Sequence, residues 1–221
     1  MCMNMLLIED DEPTRTMFSK RLAQEFPRAV VDTAGTATEA RAHIERMQRA
    51  GKQYHCIVQD LKIPEAVGEN PEFDETIWPL VKRSMERCFF VYITAYAKED
   101  PARDLMRRQR EDSAGSLVPG MVVKEGDWHH DVIGLIRSKV ESPRLEKEFE
   151  RWFGVSPADA GGRGSSGMSR GSDLQLASDL DELCLDLQAN WKYLDDRFKK
   201  RVRDRLVVEE SDLAHVRIGL R

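Results

Sequence analysis

Hydrophobic positions along the first 140 residues follow two rhythms. Short unbroken apolar runs occur at Met5 to Ile8, Ala29 to Val31, Cys56 to Val58, Phe89 to Ile93 and Met121 to Val123. Runs this short read as buried strands rather than helices. Between them apolar residues recur at roughly helical spacing. The sets are Met17, Phe18, Leu22 and Phe26; Ala40, Ile44 and Met47; Ile77, Leu80, Val81 and Met85; Leu105 and Met106; and Trp128, Val132, Ile133, Leu135 and Ile136, with the last helix running to about Val140. That spacing buries one face of a helix. The punctuation agrees. Pro13 suits a first helical turn, Pro27 ends that helix, Thr36 or Thr38 caps the next, Gly51 closes it, and Pro101 opens another. Pro79 moves the start of the third helix towards Trp78 or kinks it. Five strand–helix units in strict alternation predict an α/β fold. The sheet is doubly wound, parallel and five-stranded, flavodoxin-like with strand order 2-1-3-4-5.

The rhythm changes after residue 141. Pro143 opens a charged helical segment that ends at Trp152 and Phe153. Residues 154–172 are rich in Gly and Ser, cannot bury enough apolar surface to order themselves, and read as a flexible linker. From Asp173 to about Leu206, Leu176, Leu180, Leu183, Leu187, Trp191, Leu194, Phe198, Val202 and Leu206 recur at spacings of four and three, with no Pro or Gly between them. This predicts one long helix whose apolar stripe needs the first domain, a second copy or a partner helix to cover it. Its front half is acidic and its back half basic, which suits the helix macrodipole and would favour antiparallel pairing of two copies as a coiled coil. Leu213, Val216, Ile218 and Leu220 suggest a further short segment. The domain plan is therefore 1–141, a helical extension at 142–153, the linker, and a helical output or dimerisation region at 173–221.

Composition narrows the class. The chain has 221 residues with a net charge of −5, so no global attraction to nucleic acid is expected. No run approaches the ~20 apolar residues that span a bilayer. The start lacks the basic region and cleavage site of a signal peptide, which points to a cytoplasmic protein. Cys2, Cys56, Cys88 and Cys184 form no CxxC pair, arguing against zinc or a disulfide framework. His129 and His130 have no ligand-spaced partner and read as surface or capping residues.

The chemistry sits at the ends of the strands, where ligands bind in open α/β sheets. The first strand delivers Glu9, Asp10 and Asp11, the third Asp60, the fourth Thr94 and the fifth Lys124. Clustered carboxylates repel one another, and a hard divalent cation such as magnesium relieves the repulsion. A carboxylate can attack phosphorus to give an aspartyl phosphate. The transferring group then needs positive charge on its oxygens, which a metal and a lysine supply.

Leu6 to Glu12, Asp60 to Pro64, Ile93 to Ala95 and Val122 to Lys124, in this order, resemble the receiver domain of bacterial two-component response regulators. The resemblance covers about Met5 to Val140. It implies that Asp60 is the phosphoacceptor, Thr94 the switch hydroxyl and Lys124 the contact to the phosphoryl group. It implies a Mg2+ site made of Asp10, Glu9 through water, Asp60 and the backbone carbonyl of Lys62. A one-residue shift would make the acidic pair Asp10 and Asp11. The implied partner is a histidine kinase or phosphotransfer protein, with signalling through protein contacts.

The chain departs from the family pattern in three places. Glu125 stands where proline usually follows the lysine, and Met121 replaces the switch aromatic. The loop after Pro64 is long and carries Glu65, Glu69, Glu72 and Asp74, acids expected to be solvated. With Met121 in place of an aromatic, the readout of Thr94 would run through Tyr96 or that loop. The Met121 and Glu125 departures favour a rival reading, an adaptor that is not phosphorylated in use. A phosphatase would need an acid two residues after the nucleophile, where Lys62 stands, so the chain reads as a non-enzyme. A DNA-binding regulator is the remaining alternative, and a single long helix offers it no helix-turn-helix.

Overall fold

The computed structural model describes residues 3–85, 88–111, 119–153, 173–212 and 215–219. The chain forms two compact units, Met1–Ile136 and Arg137–Arg221. In the first, the elements run β1 (Met3–Ile8), α1 (Glu12–Glu25), β2 (Ala29–Ala34), α2 (Ala37–Arg49), β3 (Cys56–Asp60), β4 (Lys62–Ile63), β5 (Glu72–Phe73), α3 (Ile77–Ser84), β6 (Phe89–Thr94), α4 (Asp100–Glu111), β7 (Gly120–Val123) and α5 (Trp128–Ile136). The five long strands make one parallel sheet in the order β2-β1-β3-β6-β7, the predicted doubly wound topology. Thr36, not Thr38, caps α2, its hydroxyl accepting from the Glu39 N–H at 3.1 Å. Pro79 lies within the first turn of α3 and does not break it.

Parallel strands covered on both faces read as unbroken apolar runs, and β3 is buried at all of its positions. Leu6, Ile8, Ile57, Phe90 and Tyr92 pack with Ile44, Trp78 and Val81 of the helices into one core. Register aligns the functional edge. Ile8 pairs Gln59, Asp60 pairs Ile93, and Thr94 pairs Val123. Residues 9, 60, 94 and 124 therefore share the C-terminal rim.

The loop after Pro64 is more ordered than its sequence suggested. Lys62 and Ile63 pair antiparallel with Phe73 and Glu72. Asp74 is not solvated: it is buried, and its carboxylate accepts from the backbone N–H of Thr76 (3.2 Å) and Ile77 (3.1 Å) at the start of α3. Gln59 donates to the same carboxylate at 3.0 Å.

The second unit corrects the long helix. It opens with a π-helical turn, Arg137–Glu141, followed by α6 (Ser142–Phe153), α7 (Asp173–Asn190), a 3₁₀ turn at Trp191–Tyr193, α8 (Asp196–Arg205), and an antiparallel hairpin of β8 (Val207–Asp212) and β9 (His215–Gly219). Residues 137–141 are tied to this unit. Arg137 donates to the Ala189 carbonyl at 3.0 Å, and Glu141 accepts from Arg144. The predicted helix over 173–206 breaks because Leu194 is extended and the Asp195 carboxylate caps a new helix, accepting from the Phe198 N–H at 2.8 Å. The stripe from Leu183 to Leu206 packs on Leu145 and Phe149 of α6 and on Val216 and Ile218 of β9. The cover expected from a second copy or partner helix is supplied within the unit. Trp152 and Phe153 pack on the same core. The linker at 154–172 lies outside the described residues.

Candidate functional site

Each functional side chain is placed by the element that carries it. The Glu9 N–H donates to the Ala34 carbonyl at 3.0 Å, extending the β1–β2 ladder by one residue beyond Ile8. Arg15, one turn into α1, reaches back and donates to the carbonyls of Glu9 (2.5 Å) and Asp10 (3.1 Å). The acidic turn is thereby pinned. Asp11 is the N-cap of α1, accepting from the Thr14 N–H at 2.9 Å. Its carboxylate is committed to the helix, so the pair that faces Asp60 is Glu9 and Asp10. Carboxylate oxygens of Glu9, Asp10 and Asp60 all lie within 4.8 Å of one another.

Lys124 closes this cluster. Its backbone N–H donates to the Thr94 carbonyl at 2.8 Å, continuing the β6–β7 pairing. Its ammonium donates to Asp60 Oδ2 and to Glu9 Oε2, both at 2.6 Å. It reaches both with Glu125, not proline, as the next residue. Asp60 Oδ1 accepts from the Lys62 N–H at 3.3 Å. Burial and then the Asp60 charge push the Glu9 carboxyl up to about 7, against the Lys124 hydrogen bond. Burial raises Asp60 too, against the pull of Lys124. Burial alone would lower the Lys124 ammonium, but Asp60 and Glu9 outweigh it and hold it above its ordinary range. One ammonium among three clustered carboxylates leaves excess negative charge in a desolvated place. Three hard oxygen donors at this separation fit a hard divalent cation of the magnesium class.

Thr94 is fully buried, and its hydroxyl accepts from the Tyr96 N–H at 2.9 Å. Met121, at the position of the missing aromatic, is 37% exposed. Sequence reasoning missed four sets of contacts. Arg15, which pins the acidic turn, was not singled out in the sequence. His129, read as surface or capping, stacks on Trp128 at 3.7 Å and packs edge-on to Phe18. Glu65, read as solvated, pairs with Arg41 and accepts from Thr38. The Lys62 side chain lies over the rings of Tyr96 (3.7 Å) and Phe73 (4.6 Å) and bonds Glu99 at 3.2 Å. The alternation of Lys62 and Ile63 opposite Glu72 and Phe73 could have signalled the small ladder that brings Phe73 to Lys62.

No helix among the described residues is long and apolar enough to cross a membrane. No family model matches the chain, and no curated protein matches it. Solved structures do. A CheY-like response regulator receiver domain protein from Methanospirillum hungatei JF-1 is 17% identical, with a TM-score of 0.45, covering 66% of this chain and 99% of its own. The signal receiver domain of an HD domain-containing protein from Pseudomonas fluorescens Pf-5 is 15% identical, with a TM-score of 0.45 and coverages of 66% and 93%. The isolated REC domain of RcsB from Salmonella enterica serovar Typhimurium is 15% identical, with a TM-score of 0.42 and coverages of 67% and 90%. The chain's own five-stranded parallel sheet, in the order β2-β1-β3-β6-β7, is the doubly wound arrangement that the strand–helix alternation predicts.

Proposed function

We propose that Met1–Ile136 is a phosphoacceptor domain of a two-component response regulator, and that Asp60 takes up the phosphoryl group from a histidine kinase or phosphotransfer protein. The observation that carries this is the Lys124 ammonium, 2.6 Å from both Asp60 and Glu9 in a buried acidic cluster at the strand rim. An Asp60 oxygen attacks phosphorus. The new O–P bond forms as the bond to the leaving group breaks, and its electron pair departs with that group. Lys124 turns from Glu9 to the incoming phosphoryl oxygens and stays within reach because β7 holds its backbone. Asp10 and Asp60, with Glu9 through water and the Lys62 carbonyl, would hold the cation. Magnesium, when bound, neutralises charge on the phosphoryl oxygens. The Lys62 ammonium lies on the rings of Tyr96 and Phe73. That leaves the position where an Asp-nucleophile phosphatase carries its general acid without one, and supports an acceptor rather than a hydrolase.

The output is read as protein contact. Arg201, in the basic run of α8, is spent on Glu146 and Glu150 of α6, which weakens the case for nucleic acid. Intact mass after incubation with acetyl phosphate and Mg2+ tests the reading. The native chain gains one phosphoryl group and Asp60→Asn gains none. No adduct on either chain would sink it in favour of the adaptor reading.

A further inference from the structure

Lys62 is joined to the reaction centre from two directions at once. Its backbone N–H donates to Asp60 Oδ1. Its ammonium sits over the Tyr96 ring, and the N–H of that same Tyr96 is held by the Thr94 hydroxyl. A third contact comes from Phe73, paired with Lys62 in the β4–β5 ladder, and a fourth from Glu99, in the turn that enters α4. The Lys62 side chain is only 23% exposed, while Glu99 is 46% exposed and Tyr96 41%. The lysine is thus the inner part of a clamp whose outer parts face solvent. Three segments meet on it: the chain just after β3, the far side of the long loop, and the β6–α4 connection.

We infer that this Tyr96–Lys62–Phe73 clamp is the conformational readout of the site, taking the place of an aromatic residue on β7. The inference rests on the reading of Asp60 as phosphoacceptor. A hydroxyl has one proton to donate and lone pairs to accept with. In the resting chain the Thr94 oxygen is committed as acceptor to Tyr96. A phosphoryl group on Asp60, one strand away, offers strong acceptor oxygens. Rotating the Thr94 side chain so that its hydroxyl reaches them moves its oxygen away from the Tyr96 N–H. The β6–α4 connection is then released at the residue whose ring covers Lys62. The ring contacts and the half-exposed ion pair are individually weak, so the clamp is the kind of two-state element a new charge-assisted hydrogen bond can bias. Once open, Tyr96, Phe73 and Glu99 no longer share a cation, and the face formed by the long loop and the start of α4 changes shape and charge.

The clamp leaves a signature that the chemistry alone does not. The Lys62 ammonium lies over two rings, so the Cε protons beside it are expected to resonate upfield. NMR of the full chain, with side-chain assignment of Lys62 and the amide of Tyr96, is recorded before and after acetyl phosphate with Mg2+, alongside intact mass on the same sample. The expected result is a phosphoryl adduct with loss of the upfield Lys62 shift and a moved Tyr96 amide. Thr94→Val, which keeps shape and removes the acceptor of the Tyr96 N–H, loses the upfield Lys62 shift and moves the Tyr96 amide with no phosphoryl group present. Tyr96→Leu loses part of that shift with no phosphoryl group present, which confirms the assignment. No adduct on the native chain refutes the phosphoacceptor reading itself. An adduct with Lys62 and Tyr96 unmoved, or unphosphorylated Thr94→Val keeping the Lys62 shift of the resting native chain, overturns the clamp while leaving the phosphoacceptor in place.

Discussion

The two units share an arithmetic and use it differently. In the first, one lysine serves carboxylates drawn from two strands, Glu9 and Asp60, with Asp10 beside them. In the second, one arginine, Arg144, serves Glu141, Glu148 and Asp186. Both cations are outnumbered. The difference lies in the shape of the cation and the setting of the acids. Arg144 holds its carboxylates in the π-helical turn, along α6 and across on α7 with the several donors of a fixed fork, which suits a permanent staple. Lys124 is a point charge on a flexible stem, and its acids sit at a rim where a ligand can enter. An outnumbered arginine between helices is a brace. An outnumbered lysine at strand ends leaves carboxylates whose spacing fits a hard cation.

The sharpest break in this comparison comes from emptying the second unit's core. Phe198 is 1% exposed and meets Phe149 edge-on at 5.6 Å. Phe198→Ala is expected to cost about 3–5 kcal/mol. Hydrogen exchange should show α7, α8 and the hairpin opening faster, with β1 and β3 unchanged and phosphoryl uptake at the native level. Loss of protection in the central sheet would mean the two units do not carry separate stability.

Next in size is Lys124→Met, which keeps the stem and removes the charge. Phosphoryl uptake, followed by intact mass over time, should slow by about 10²-fold, the scale for losing one preorganised donor. Uptake at the native rate would show that the lysine is only a brace, as Arg144 is.

How far the chain could be read without its structure follows the same division. Strand–helix alternation was enough for the first unit, because each βα unit carries its own period and stop signals. Glu9, Asp60, Thr94 and Lys124 follow once the strand ends are known. The second unit hid its break. Leu187, Trp191, Leu194 and Phe198 keep spacings of four and three straight through the turn, so the apolar stripe survives where the helix does not. The signal was Asp195 three residues before Phe198, an N-cap spacing masked by the acids around it. Val216 and Ile218 buried on either side of exposed Arg217 is a strand period too brief to stand out in sequence. Asp74 was obscured for a related reason. A loop acid and a buried cap look alike until the partner N–H groups are placed.

The smallest effect separates brace from ornament within the second unit. Arg144 is 21% exposed at its side chain and meets carboxylates that are 9%, 22% and 32% exposed, whereas Arg201 is 36% exposed against Glu146 at 39% and Glu150 at 56%. Losing Arg144 leaves Glu141 largely buried without its cation, so Arg144→Met should cost about 1–3 kcal/mol. Arg201→Met removes better solvated pairs and should cost ~0.2–1 kcal/mol. Urea unfolding of the second unit, read by hydrogen exchange at low and at high salt, checks both. Salt should shrink the Arg201 difference towards zero and leave most of the Arg144 difference, because screening reaches exposed pairs far more than buried ones. Equal salt sensitivity would mean that Arg144 is no better shielded than Arg201, and that the brace in this unit is its apolar core alone.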